Sequence, residues 1–136
     1  MNALFDTNVV LDVLLARAPF ATDSNACFLQ VEDGQLRGFL GATTITTLDY
    51  LMSGALGATV SRQQIERLLD LFDIAAVNRA VLASAVKSAQ SDFEDAVLAE
   101  AARACGVDSI ITRNAKDFVG SGLSVYTPRE WLASQI

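Results

Sequence analysis

The segment ALFDTNVVLDVLLA (residues 3–16) starts as a short apolar run, reaches Asp6 and continues as a longer, mostly apolar stretch. The run ALF (3–5) is typical of a buried strand, and the residues after Asp6 are typical of a helix. A strand that leads directly into a helix indicates a βα unit of a parallel sheet. Asp6 therefore lies at the end of a predicted strand, where ligands bind in open α/β sheets.

The same alternation of apolar runs and helical segments continues along the chain. Further strands are predicted at residues 37–42, 73–77, 107–112 and 123–127. Helices are predicted from Pro19 to about Glu32, at TTITTLDYLM and at residues 61–72, where Ser61 would be the N-cap. Further helices are predicted at RAVLASAVKSA and from SDFEDAV to Gly106, which would be the C′ residue. A last helix is predicted to begin at Pro128. These elements predict a three-layer α/β/α sandwich around a mostly parallel sheet of about four or five strands, as one domain over residues 1–136.

Composition limits the class of protein. Hydrophobic residues make up 51% of the chain, which favours a folded globular domain over disorder. The apolar runs are too short for a membrane span, and no basic segment followed by a cleavage site opens the sequence. Cys27 and Cys105 lie far apart without metal-ligand spacing, which predicts two buried, reduced thiols. We therefore expect a cytoplasmic protein with no membrane partner.

The chain contains no histidine, and this absence excludes several kinds of site. Ser-His-Asp and Cys-His catalysis, an imidazole base and histidine-ligated zinc are all impossible. The net charge of −6 also argues against a broad electrostatic surface for nucleic acid. It leaves room for a phosphate substrate that is bridged by metal.

The segment SDFEDAV (91–97) allows two interpretations. Ser91 and Glu94 have the spacing of a capping box at the start of a helix. Asp92 and Asp95 are three residues apart and thus on one helix face, whereas Glu94 points elsewhere. The segment could therefore cap a helix and also present carboxylates to a site.

Asp6 and Asp117 also allow a structural and a functional interpretation. Asp6 could cap the first helix, and Asp117 could be a turn residue beside Phe118. Taken together with Asp92 and Asp95, they would place three or four carboxylates at one edge of the sheet, where they would repel each other without a cation. A cluster of oxygen ligands suits Mg²⁺ or Mn²⁺ rather than zinc.

The segments LFDTNVVLD, ATTITTLDYLM, SDFEDAVLAEAARACGVDSIITRNAKDF and VYTPREW resemble, in this order, the PIN-domain family, which includes the VapC-type toxins of bacterial toxin–antitoxin pairs. The resemblance implies an α/β/α sandwich and an Mg²⁺- or Mn²⁺-dependent endoribonuclease with an acidic quartet. It assigns catalysis and metal binding to Asp6, Asp95 and Asp117, with Asp92 as an additional metal ligand. The family's second acid, usually Glu, is replaced by Thr47, and Asp49 is two helical positions away, on a different face of a regular helix. A one-turn irregularity of the helix could bring Asp49 into place, or Asp92 could supply the missing charge.

The resemblance also implies supporting residues and partners. Residues that could orient ligands or water are Asn8, Thr47, Thr112 and Asn114. Arg113 and Lys116 could neutralise substrate phosphates, or could simply be solvated loop cations. VapC-type proteins are often dimers and are inhibited by a small antitoxin. We therefore expect an RNA substrate, a small antitoxin protein and a homodimer.

Two other classes of function would also place polar or acidic residues at the ends of strands. Thr47 and Asn114, in place of family acids, would suit a PIN-like binding or regulatory module that has lost activity. A phosphate-receiving domain of the response-regulator kind also gathers acids at strand ends. Such a domain would require an acceptor Asp after a middle strand and a late Lys, and VDSIITRN (107–114) supplies neither.

Overall fold

The computed structural model describes residues 1–135, so the last residue of the predicted domain, 136, lies outside the described part. The strands are β1 (Asn2–Phe5), β2 (Arg37–Gly41), β3 (Asp73–Ala75), β4 (Ser109–Ile111) and β5 (Ser124–Tyr126). The helices are α1 (Thr7–Leu14), α2 (Ala21–Glu32), α3 (Ala42–Leu56), α4 (Ala58–Leu71), α5 (Arg79–Val86), α6 (Phe93–Ala104) and α7 (Pro128–Ser134), with a 3₁₀ helix at Ala115–Phe118.

The five strands form one parallel sheet in the order β3-β2-β1-β4-β5. The chain builds outward from β1 to β3 and then returns to add β4 and β5 on the other side. The order therefore reverses between β1 and β4, and this reversal opens a crevice at the carboxyl ends of these two strands. Asp6 follows β1, and Thr112 follows β4, so both residues lie at this crevice.

Helices cover both faces of the sheet, as the predicted three-layer sandwich requires. Alternate side chains of β1 enter different cores: Ala3 and Phe5 pack with α1, α2, α3, α4 and α7, whereas Leu4 packs with α5 and α6. This alternation of fully buried residues is expected of a strand with both faces covered. The predicted fold class is confirmed.

Close approach of α6 to the sheet positions part of the site. Gly41, the last residue of β2, lies under Leu98, and a Cβ at this position would collide with the Leu98 side chain. Glycine thus lets α6 pack directly against β2 and β3. This packing fixes the first turn of α6, which carries Asp95, above the carboxyl ends of the strands.

Some sequence predictions were wrong in detail. Ser61 does not cap a helix, because α4 begins at Ala58, and Ser61 is a buried residue inside it. The break that separates α3 from α4 is Gly57, whose φ of 87° ends the first helix. Cys27 is buried as predicted, but Cys105 is exposed.

The described helices include none that is both long and apolar enough to cross a membrane.

Candidate metal centre

Asp6 joins β1 to α1 and is 6% exposed. As the N-cap of α1, it accepts a hydrogen bond from the backbone N–H of Thr7 at 2.7 Å. Its other carboxylate oxygen accepts from the Thr112 hydroxyl at 2.7 Å and from the Asn8 side-chain amide at 3.3 Å. Asp6 is therefore both a helix cap and the hub of a polar network, and the two interpretations of this residue are compatible.

The network fixes the turn that follows β4. The Thr112 hydroxyl accepts from the backbone N–H of Asn114 at 3.0 Å, and the Asn8 side-chain oxygen accepts from the backbone N–H of Arg113 at 3.3 Å. Thr112 and Asn8 also donate to Asp6, so each of these side chains links the turn to the Asp6 carboxylate. The turn therefore has a defined position relative to the buried carboxylate.

Asp117 is held by the next part of the same turn. It lies in the 3₁₀ helix, where its N–H donates to the Asn114 carbonyl at 2.9 Å, and the adjacent Phe118 is buried in the core. The side-chain amide of Gln90 donates to the Asp117 carbonyl at 3.2 Å. Gln90 is 9% exposed and links the segment before α6 to this turn. This role could not be predicted from the sequence, because a single glutamine in a loop has no distinctive spacing.

The start of α6 differs from the predicted capping box. Its N-cap is Asp92, whose carboxylate accepts from the backbone N–H of Asp95 at 2.9 Å. Ser91 and Glu94 therefore do not form the cap. A capping box does occur at α7, where Thr127 and Glu130 bond reciprocally and Pro128 occupies the first turn as predicted.

Acidic and amide side chains from three parts of the chain line one open concavity of about 250 Å³. It brings together most of the predicted site residues, namely Asp6, Asn8, Asp92, Asp95, Asn114 and Asp117. Glu94 also lines it, so the prediction that Glu94 points away was wrong. The concavity therefore has one more carboxylate than the sequence analysis assigned to it.

Burial and neighbouring negative charge raise the pKa values of Asp95 and Asp6. Burial is the largest cause that raises the pKa of Asp95, followed by the negative charges of Asp6, Asp92, Asp117 and Glu94, which together bring it to about 7. Burial also raises the pKa of Asp6, against the hydrogen bonds from Thr112 and Thr7. A cation at this position would relieve both the burial penalty and the repulsion.

Helix α3 contributes no carboxylate to this concavity within the described residues. The Thr47 hydroxyl donates back to the Thr43 carbonyl of its own helix at 3.1 Å. Asp49 accepts a 2.7 Å hydrogen bond from Ser61 of α4 and is turned away from the acids. Because α3 is continuous from Ala42 to Leu56, no helical irregularity moves Asp49 into the place of the missing acid.

The two predicted phosphate contacts have different surroundings. Arg113 forms a 2.6 Å ion pair with Asp12, which is fully buried and also pairs with Arg17 at 2.9 Å. Lys116 is exposed on the 3₁₀ helix. In the sequence, Asp12 is one residue of a predicted helix, and its distance in sequence from Arg113 gives no sign of their pairing.

The donor set of the concavity fits a hard divalent cation. It offers carboxylate and amide oxygens, the ligands typical of Mg²⁺ or Mn²⁺ sites. Within residues 1–135, however, no three acidic or thiol side chains converge closely enough, as they stand, to hold one ion. Binding of one ion by three of these carboxylates would therefore require at least one of them to change its side-chain conformation.

The comparison with known proteins is consistent with this architecture. The family model described as "PIN domain" matches residues 2–116. No curated protein matches the sequence.

Several solved structures share the fold at low sequence identity. One is FitAcB from Neisseria gonorrhoeae, with a TM-score of 0.70 and 23% identity over 95% of this chain and 99% of that chain. Another, a toxin–antitoxin complex from Klebsiella pneumoniae, has a TM-score of 0.70 and 22% identity over 93% and 97% of the two chains. VapBC-1 from nontypeable Haemophilus influenzae has a TM-score of 0.71 and 18% identity over 95% and 99%. Since the family model spans most of the sequence, the chain belongs to the PIN-domain family.

Proposed function

We propose that this protein is an Mg²⁺- or Mn²⁺-dependent endoribonuclease that hydrolyses phosphodiester bonds in RNA. The observation that carries the proposal is the acidic concavity at the crevice between β1 and β4, which is lined by five carboxylates, those of Asp6, Asp92, Glu94, Asp95 and Asp117. Membership of the PIN-domain family supports the same activity.

Asp6, Asp95 and Asp117 would hold the ion, with Asp92 assisting through the carboxylate oxygen that does not cap α6. A bound divalent cation would polarise the phosphate, activate water and stabilise the departing oxygen. Asn8 and Thr112 keep Asp6 in a fixed orientation by donating to its carboxylate. Asn114 lines the concavity and could orient water, whereas Thr47 bonds to its own helix and is not proposed to take part.

RNA cleavage by the purified protein in Mn²⁺ or in chelator tests the proposal. The Asp6→Asn variant should lose Mn²⁺-dependent cleavage without unfolding, because asparagine can still cap α1 but supplies no charge. Asp70→Asn, an exposed acid on α4, is the matched control and should cleave normally. Unchanged cleavage by Asp6→Asn would reject the assignment.

The second candidate is a PIN-domain binding module with weakened activity. The specific observation in its favour is that α3 supplies no carboxylate to the concavity. Thr47 has only a hydroxyl, which donates to the Thr43 carbonyl, and the carboxylate of Asp49 bonds to Ser61. This alternative predicts that the protein binds RNA but leaves it intact in Mn²⁺ as well as in chelator.

We further propose a small antitoxin protein as partner, a homodimer as the assembly and the cytoplasm as the location. Solved structures with the same fold include complexes described as toxin–antitoxin pairs, which supports the first of these. Co-purification of the chain with the product of an adjacent small gene would test it.

A further inference from the structure

A second cavity lies beside the acidic concavity. It has a volume of about 350 Å³ and is lined by Phe20, Asp23, Arg113 and Arg129, with two prolines. Arg113 lines this cavity, and the next residue, Asn114, lines the acidic concavity. Consecutive Cα atoms are about 3.8 Å apart, so the linings of the two sites adjoin at this point of the backbone.

Arg113 presents a fixed planar group at this border. Its guanidinium carbon lies 3.9 Å from the centroid of the Phe20 ring, and its Nε is 2.6 Å from a carboxylate oxygen of the buried Asp12. The ion pair and the stacking together hold both planes in place. Phe20 nevertheless remains 40% exposed. Aromatic rings and arginine planes of this kind are surfaces on which unpaired nucleic-acid bases stack.

Arg129 supplies a cation that is free to bind an anion. Its side chain is 86% exposed, and its partner is Asp23, through Nε at 3.4 Å. The terminal amino groups of Arg129 therefore remain available, and their geometry suits two phosphate oxygens. In a chain of net charge −6, such a cation in the second cavity would offset the repulsion of a phosphate backbone.

We propose that this cavity binds one nucleotide of single-stranded nucleic acid, whose base stacks at Phe20 and whose phosphate contacts Arg129 and the outer edge of Arg113. The inference rests on the proposed function, because the bound nucleotide would neighbour the phosphodiester held at the acidic concavity. It assigns to the cavity the positioning of the strand, separately from hydrolysis.

Binding of labelled single-stranded RNA and DNA of one sequence, measured in chelator so that no cleavage occurs, tests the proposal. Arg129→Gln should weaken binding several-fold and reduce the slope of log affinity against log salt by about 0.7, the value for one lost phosphate contact. Asp23→Asn changes the charge in the opposite direction and should tighten binding. Arg67→Gln, on the exposed face of α4, is the control for charge alone.

Phe20→Leu keeps an apolar side chain but removes the flat ring, and should weaken binding roughly 5-fold to 100-fold. Equal effects on RNA and DNA would support contacts to base and phosphate alone, and a larger effect on RNA would support an added contact to the 2′-hydroxyl. Thermal unfolding of each variant establishes that it is folded.

The proposal is overturned if Arg129→Gln weakens binding no more than Arg67→Gln and Asp23→Asn fails to tighten it. That result would leave the cavity to a protein ligand. Because these affinities are measured without metal, they would change as expected even if the protein cleaves no RNA. Conversely, normal cleavage with unaltered affinities would reject this inference and leave the proposed activity intact.

Discussion

At the scale of single residues, a proton and the proposed cation would compete for Asp95. The carboxyl has an ordinary pKa of 3.8 and a pKa of about 7 in the folded protein, because burial and then the neighbouring acids disfavour its charged form. The folded state therefore holds this proton more tightly than the unfolded state. The contribution of Asp95 to the free energy of unfolding consequently falls as pH rises from about 4 to about 7.

This sign gives a testable pH dependence. In chelator, Asp95→Asn should gain stability relative to the unmodified protein between about pH 5 and about pH 8, since the amide carries no charge to repel its neighbours. Added Mn²⁺ should remove this advantage near pH 8 and have little effect near pH 5. Thermal unfolding of both proteins under the four conditions measures it, and a stability difference independent of pH would contradict the assigned environment of Asp95.

The role of a single residue was predictable from the sequence when its chemistry was unusual for its position in a strand or helix. Asp6 stood out because a carboxylate at the end of a buried strand requires partners, and the structure supplies them from Thr7, Asn8 and Thr112. Glu94 was assigned to a cap instead, because spacing alone cannot distinguish the N-cap from its neighbour.

At the scale of elements, one residue at the start of α6 could have two roles. Asp92 caps the helix by accepting from the Asp95 N–H, and it also lines the acidic concavity. The two roles require different properties, since capping requires an acceptor oxygen whereas metal binding requires a negative charge.

Three substitutions separate these roles. Asp92→Ala should lower the free energy of unfolding by about 1 kcal/mol through loss of the cap, whereas Ser91→Ala should change it by less than about 0.5 kcal/mol. Asp92→Asn should not lower the stability, because asparagine is an equally good cap and its neutral amide does not repel Asp95, so any loss of Mn²⁺ affinity would come from the charge. Denaturant unfolding and metal titration provide the measurements. A larger loss of stability in Ser91→Ala would restore the predicted capping box.

Element types were predictable from apolar periodicity, but some boundaries depended on tertiary contacts. The five strand segments were identified from their apolar runs, yet β3 is shorter than predicted and ends at Ala75. Ser61 has the residue type of an N-cap, but it is buried and donates to Asp49. From the local sequence, a serine that bonds between two helices cannot be distinguished from a serine that caps a helix.

At the scale of the whole molecule, strand order assembles the candidate site. Residues far apart in sequence meet because β1 and β4 are neighbours at the point where the sheet order reverses. The sequence indicated that strand ends would carry acids, although it could not give the order of the strands. It also could not predict the buried Asp12 contacts that fix Arg113, since long-range ion pairs leave no periodic pattern.

We propose that the acids gathered by this topology bind a divalent cation, and calorimetric titration with Mn²⁺ near pH 8 measures this binding. We expect the unmodified protein and Asp70→Asn to bind Mn²⁺ alike, whereas Asp6→Asn and Asp117→Asn bind it at least about tenfold more weakly, a difference of about 1.4 kcal/mol. Absence of binding at millimolar Mn²⁺, or equal affinity in all four proteins, would show that the acidic concavity is not the binding site of a divalent cation.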